Sequence, residues 1–162
     1  MKLAFNMKTH NILSNEEFKT NIGRNSRLIG IDPGKKNIGI AICDENRMVA
    51  TPLKTIHKTK FDVLLKNLKE IIIENDIKGI VVGHPINMDG SEGKSSQSAS
   101  DFCKNLSNNI TIPITMWDER LSSEGMFKIT KELGTNTSNR VKNLDKNAAA
   151  FILQGAIDYL SN

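Results

Sequence analysis

The chain has 162 residues, of which 38% are hydrophobic, and a formal net charge of +4. This length suits one compact domain with its own core, and no apolar run approaches the length of a membrane span. Asn6 and Lys8 interrupt the apolar start of the chain, which argues against a signal peptide. The modest positive charge permits a nucleic-acid partner but does not require one.

Residues 1–26 are polar and rich in asparagine, and we expect them to form a mobile extension outside the fold. A single domain is expected over residues 27–162. The two cysteines, Cys43 and Cys103, do not form a CxxC pair. We therefore expect both to be reduced thiols in the core of a cytoplasmic protein.

The first part of the domain predicts three antiparallel strands followed by a helix. Apolar runs at 27–32, 37–43 and 48–56 are separated by short turns, which is typical of a meander. From Phe61 to Ile72, apolar residues recur every three or four positions, which predicts an amphipathic helix.

The second part alternates strands with helices. The apolar segments 79–83 and 114–118 predict two further strands, of which the first is parallel and central. Helices are predicted around 99–106, from about Ser122 to Leu133, and from about Asp145 to Leu160, with a polar loop over 135–143. This order predicts an α/β three-layer fold, with a mixed five-stranded sheet and helices on both faces.

Three carboxylates stand at the ends of predicted elements: Asp32 and Glu119 follow the first and fifth strands, and Asp145 opens the last helix. Ligands bind beyond the carboxyl ends of parallel strands, and the first and fifth strands can be neighbours in this order. Gly30, on the same strand face as Asp32, is expected to leave room for a ligand. Converging carboxylates repel each other unless a hard cation neutralises them, and oxygen donors favour Mg²⁺ or Mn²⁺.

Each of these acids also has a purely structural interpretation. Asp32 can simply begin an Asp-Pro-Gly turn, Asp145 can cap its helix, and Glu119 can form a surface ion pair with Arg120. The functional interpretation gains weight because all three acids occupy plausible site positions in the same predicted fold.

Four motifs occur in a fixed order: Asp32–Gly39, Gly83–Gly93, Asp118–Leu121 and Asp145–Leu153. Over about residues 27–160 the chain resembles the YqgF (RuvX) family of bacterial nucleases. This resemblance implies a ribonuclease H-like fold, a cytoplasmic location, and Asp32, Glu119 and Asp145 as the metal-binding catalytic acids. The family is associated with maturation of the 5′ end of 16S ribosomal RNA. Because its fold is similar to that of the RuvC resolvase, it was earlier linked to Holliday junctions.

The main hypothesis is therefore a Mg²⁺- or Mn²⁺-dependent endonuclease that processes precursor 16S rRNA, in contact with structured RNA or pre-ribosomal particles. One alternative is cleavage of four-way DNA junctions, whose two symmetric cuts favour a dimer; the chain is expected to be a monomer or a weak homodimer. Another is an assembly factor that binds RNA without cutting it. A sugar-kinase-like phosphotransferase is disfavoured, because such proteins need two domains with an Asp-x-Gly hairpin.

Substrate phosphates are expected to meet five basic residues near these motifs, Lys35, Lys36, Arg120, Arg140 and Lys142. His84 departs from the family pattern, which usually has an apolar residue there, and is interpreted as a tolerated substitution at the edge of a loop.

Overall fold

A computed structural model describes residues 11–87, 89–122 and 137–161, and the side chains of 11–87, 89–121 and 147–161. The strands are β1 (Ile12–Leu13), β2 (Arg27–Pro33), β3 (Asn37–Cys43), β4 (Ala50–His57), β5 (Ile77–His84) and β6 (Ile114–Asp118). The helices are α1 (Asn15–Asn21), α2 (Phe61–Glu74), α3 (Lys94–Ser107) and α4 (Thr137–Leu160), with a 3₁₀ turn over Glu119–Ser122.

The strands form one mixed sheet in the order β1-β6-β5-β2-β3-β4. The antiparallel meander β2-β3-β4 and the parallel strands β5 and β6 are confirmed. Two expectations about the sheet are wrong. It has six strands rather than five, because β1 pairs with β6. The strands that carry Asp32 and Glu119 are not neighbours either, because β5 lies between β2 and β6.

Successive side chains of β2 point to opposite faces of the sheet and so belong to different sides of the core. Ile29 and Ile31 belong to a cluster that includes residues of α2 and α3, whereas Leu28 belongs to a second cluster with residues of α1 and α4. The prediction of helices on both faces of the sheet is therefore confirmed.

The segment after residue 10 differs from the expectation of a mobile extension. Ser14 caps α1 in a reciprocal pair of hydrogen bonds with Glu17, and Phe18 is only 1% exposed. The Asn11 side chain donates to the Ile110 carbonyl at 2.7 Å, and the Thr115 hydroxyl donates to the Leu13 carbonyl at 2.9 Å. Residues 11–22 are part of the packed fold, but their two-residue strand and short helix carry too few apolar positions to show a periodic pattern.

The last helix also begins earlier than expected. Because α4 starts at Thr137, residues 137–143 are helical rather than a loop, and Asp145 lies inside the helix instead of capping it. The first turns of α4 are polar, so apolar periodicity could not reveal them. The helix predicted from about Ser122 to Leu133 lies almost entirely outside the described residues, which include only the 3₁₀ turn at its start.

Gly30 serves helix packing rather than ligand binding. A Cβ at this position would lie 2.7 Å from the Leu153 Cβ and 2.8 Å from the Ala149 carbonyl oxygen. The space beside Asp32 that the missing side chain creates is therefore filled by α4. This close approach brings the helix that carries Asp145 against the strand that carries Asp32.

The two cysteines are free and buried, as expected of core thiols. Burial raises the pKa of Cys103 to about 12, so its thiol stays protonated and unreactive at neutral pH. The Cys43 sulfur accepts a hydrogen bond from the Leu28 N–H at 3.3 Å. Within the part of the chain that the structure describes, there is no helix with the length and apolar character needed to cross a membrane.

Candidate functional site

The candidate site lies at the carboxyl edge of the parallel strands, where the absent side chain of Gly83 makes room for the Glu119 carboxylate. Gly83 is in β5 and pairs with Trp117 of β6, two residues before Glu119. A Cβ on Gly83 would lie 2.8 Å from Glu119 Oε1 and 2.5 Å from Ile152 Cδ1. Because β5 has no side chain at this point, the Glu119 side chain extends over it from the 3₁₀ turn that follows β6. Sequence reasoning missed this role of Gly83.

Asp32 occupies the same face of the sheet, two strands away from β6. It pairs with Gly39 in the β2–β3 ladder, where a Cβ on Gly39 would lie 3.7 Å from the Asp32 Cβ and 3.5 Å from the Ala149 Cβ. Asp32 is thus placed between the hairpin and α4, and it is partly buried. Its negative charge is one cause of the raised pKa of Glu119.

Burial, together with the nearby negative charges of Asp32 and Asp118, raises the pKa of Glu119 to about 7. An ordinary glutamate is fully ionised at neutral pH, but here ionisation places a second partly buried negative charge close to the first. The structure therefore places Asp32 close enough to Glu119 for its charge to oppose ionisation, and the shared role of these acids in metal binding stays a prediction. A bound cation would relieve the repulsion between them.

Asp145 can be placed only by its backbone. It lies in α4, one helical turn before Ala149, and its side chain is outside the described residues. Among the side chains that the structure describes, no group of three acidic, histidine or cysteine residues is arranged to hold a metal ion. Asp32 and Glu119 form a pair of oxygen donors, which suits a hard divalent cation such as Mg²⁺.

Arg120 pairs with Asp118, and this corrects the alternative of a Glu119–Arg120 ion pair. The Arg120 guanidinium donates to both Asp118 carboxylate oxygens, at 2.7 to 3.1 Å, and the Arg120 N–H donates to one of them at 3.0 Å. These bonds hold the pKa of Asp118 below its usual range. Arg120 is therefore bound by the aspartate that ends β6 and not by Glu119, which begins the 3₁₀ turn.

His84 connects the end of β5 to the start of α3. Its Nε2 lies 2.6 Å from the hydroxyl oxygen of the fully buried Ser96 and 3.5 Å from Glu92 Oε1. His84 is also opposite Asp118 in the β5–β6 ladder. The side chain thus anchors both ends of the loop between β5 and α3, a structural role that the sequence did not indicate.

The other predicted contact residues are more dispersed. Lys35 and Lys36 are exposed in the turn between β2 and β3, directly after Asp32. Arg140 and Lys142 belong to the first turns of α4, and their side chains lie outside the described residues.

The architecture is that of the ribonuclease H-like resolvases. RuvC of T. thermophilus, solved in complex with a Holliday junction substrate, superposes with a TM-score of 0.50 at 13% identity, over 85% of this chain and 96% of its own. A yeast mitochondrial Holliday junction resolvase superposes with a TM-score of 0.52 at 11% identity, over 91% of this chain and 84% of its own. At such low identity, this likeness concerns the fold.

Sequence comparison identifies the family. The profile of the RuvX family, described as Holliday junction resolvase, matches residues 26–159, so the chain belongs to this family. A candidate pre-16S rRNA nuclease of Pelagibacter ubique is 53% identical over 91% of this chain and 97% of its own length. A protein of Ruegeria pomeroyi with the same description is 46% identical, over 91% and 96% respectively. The family resemblance predicted from the motifs is confirmed.

Proposed function

We propose that this protein is a divalent-cation-dependent endonuclease that processes the 5′ end of precursor 16S rRNA in the cytoplasm. The observation that carries the proposal is the approach of Glu119 to Asp32 at the carboxyl edge of the sheet, where the pKa of Glu119 rises to about 7. Displaced pKa values of this kind are common at catalytic sites. The descriptions of the two bacterial relatives support the RNA substrate.

Asp32 and Glu119 would hold the cation, Mg²⁺ or Mn²⁺, with Asp145 as a further ligand. When bound, such an ion supplies charge neutralisation and Lewis acidity for phosphodiester hydrolysis. The protein itself supplies fixed positions for the donors. Asp32 is positioned by its ladder pairing with Gly39, and Glu119 is positioned by the gap above Gly83.

Lys35, Lys36, Arg120, Arg140 and Lys142 would contact the phosphates of the substrate. Phosphate contacts position a strand without reading its sequence. Trp117 and Tyr159 pack against each other with ring centroids 5.8 Å apart, and Trp117 is buried, so these rings are not a free platform for stacked bases. Recognition of structured RNA would therefore depend on shape and backbone charge.

The raised pKa of Glu119 predicts a pH-dependent response to metal. In the metal-free protein, ionisation of Glu119 is unfavourable, so stability should fall as the pH rises from about 4.5 through about 7. The cation binds the ionised form, so 10 mM Mg²⁺ should raise the Tm more at pH 8 than at pH 6. Glu119→Gln should remove most of this difference and should raise the metal-free stability at pH 8 by about 1 kcal/mol, a value reduced for solvent screening.

Differential scanning fluorimetry from pH 5 to 8, with and without Mg²⁺, measures both effects. Glu70→Gln, on an exposed position of α2, is the matched control and should behave like the wild type. An equal Mg²⁺ response at pH 6 and pH 8 would contradict Glu119 as a metal ligand with a raised pKa.

Cleavage of DNA junctions is the second candidate, favoured by the family description and by the resolvase fold. Purified protein should be offered, with Mg²⁺ or Mn²⁺, a precursor 16S rRNA fragment that contains the 5′ maturation site, a four-way DNA junction, and a linear duplex of the same arm sequence. We expect cleavage of the RNA at least about tenfold faster than that of either DNA. Paired symmetric cuts in the junction, with intact RNA, would instead identify a resolvase.

A further inference from the structure

A cavity lies beside the turn that follows Asp32. It has a volume of about 240 Å³ and is lined by Pro33, Gly34, Lys35, Lys58, Lys94, Ser95 and Ser98. The three lysines come from three separate segments: the β2–β3 turn, the residue after β4, and the first residue of α3. The fold therefore converges three positive charges on one concave surface.

Two features fix these segments against each other. The Lys58 N–H donates to the Lys36 carbonyl at 2.8 Å, which holds the end of β4 against the β2–β3 turn. The turn itself is tight, because the Gly34 N–H donates to the Asp32 carbonyl at 3.0 Å. Lys35 and Lys58 are thus held at the ends of two connected elements, and α3 supplies the opposite wall.

The cavity has the chemistry of a phosphate site. Its lining residues include three lysines and two serines but no acidic residue, and in the part of the chain that the structure describes, none of the three lysines forms an ion pair. Like charges that converge without a counterion repel each other, and an anion would remove that cost. The early N–H groups of α3, which lack partners within the helix, add further donors.

We infer that this cavity binds a backbone phosphate of the nucleic-acid strand, next to the phosphate that is cleaved. The inference deepens the proposed function and rests on it for the identity of the strand. Asp32 and Pro33 are adjacent in β2 and therefore face opposite sides of the sheet edge. A nucleic-acid strand that crosses this edge of the sheet would place one phosphate at Asp32 and Glu119 and another at the lysines. These two contacts would fix the position of the nucleic acid along the site.

The test measures binding of the precursor 16S rRNA fragment by fluorescence anisotropy in EDTA, at several salt concentrations. Without a cation the result does not depend on cleavage. Lys58→Ala with Lys94→Ala should raise the Kd about tenfold and reduce the slope of log K against log salt by about 0.7, the contribution of one lost phosphate contact with a single strand. Lys58→Arg with Lys94→Arg should bind like the wild type.

The matched control is Lys69→Ala with Lys104→Ala, which removes the same charge from exposed positions on α2 and near the end of α3. It should change the Kd less than about threefold. An unaltered Kd and salt slope in the Lys58/Lys94 variant, relative to this control, would overturn the inference.

Inorganic phosphate serves as the second probe, by titration calorimetry with the wild type and the Lys58/Lys94 variant. Loss of phosphate binding without loss of RNA binding would show that the cavity takes a free anion, which overturns the assignment to a strand. If RNA binding weakens as expected but neither RNA nor junction is cut with any divalent cation, the proposed function fails while the phosphate site stands.

Discussion

Asp32→Asn should reduce RNA cleavage by about a thousandfold or more, without loss of stability. Asparagine preserves the shape of the side chain, but it cannot provide the negative charge that holds a divalent cation. It also removes one of the two charges that oppose ionisation of Glu119, so the pKa of Glu119 should fall below about 7 in this variant. Single-turnover cleavage with Mg²⁺, together with the Tm in its absence, measures both consequences.

Asp62→Asn is the matched control, because it makes the same substitution at an exposed position of α2. It should cleave at the wild-type rate. Unchanged cleavage by Asp32→Asn would end the proposal of a metal-dependent nuclease. A large drop in its Tm, with proportionate loss of activity, would instead show that Asp32 serves only the Asp-Pro-Gly turn.

The pairing of Asp32 with Glu119 could be predicted, but for an incomplete reason. The sequence places both acids after apolar strands, and parallel strands end at a common edge. The expectation that those strands are neighbours is wrong, because β5 lies between them. The acids still approach each other because β5 carries Gly83, whose absent side chain leaves a gap for Glu119. Both the strand order and this gap depend on contacts between distant segments.

The environment of Asp145 was predictable only in part. An aspartate before an apolar helix is the ordinary signal of a helix start, yet α4 begins at Thr137. Its first two turns contain few apolar residues, so no periodicity distinguishes them from a loop. Asp145 consequently lies within the helix and not at its start. The close approach of this helix to β2, which Gly30 allows, is a consequence of tertiary packing.

The packing of the N-terminal segment, residues 11–22, could not be predicted either, because its elements are too short to show a periodic pattern. Its helix has seven residues, of which only Phe18 is buried. One apolar anchor does not produce a pattern, although it can contribute much of an element's packing energy. The space for this ring is made by Gly79, where a Cβ would lie 2.8 Å from Phe18 Cζ and 2.9 Å from Leu28 Cδ2.

Phe18→Ala should therefore lower the free energy of unfolding by about 3 to 5 kcal/mol, the usual cost of deleting a buried phenylalanine side chain. The ring is 1% exposed and packs in the cluster that α4 also joins, so its loss leaves a cavity between α1 and the sheet. Urea denaturation followed by circular dichroism measures the change. Thr20→Ala, at an exposed position of the same helix, is the control and should change stability by less than about 0.5 kcal/mol. Equal stabilities for the two variants would mean that residues 11–22 do not contribute to the core, and that the expectation of a mobile extension holds in solution.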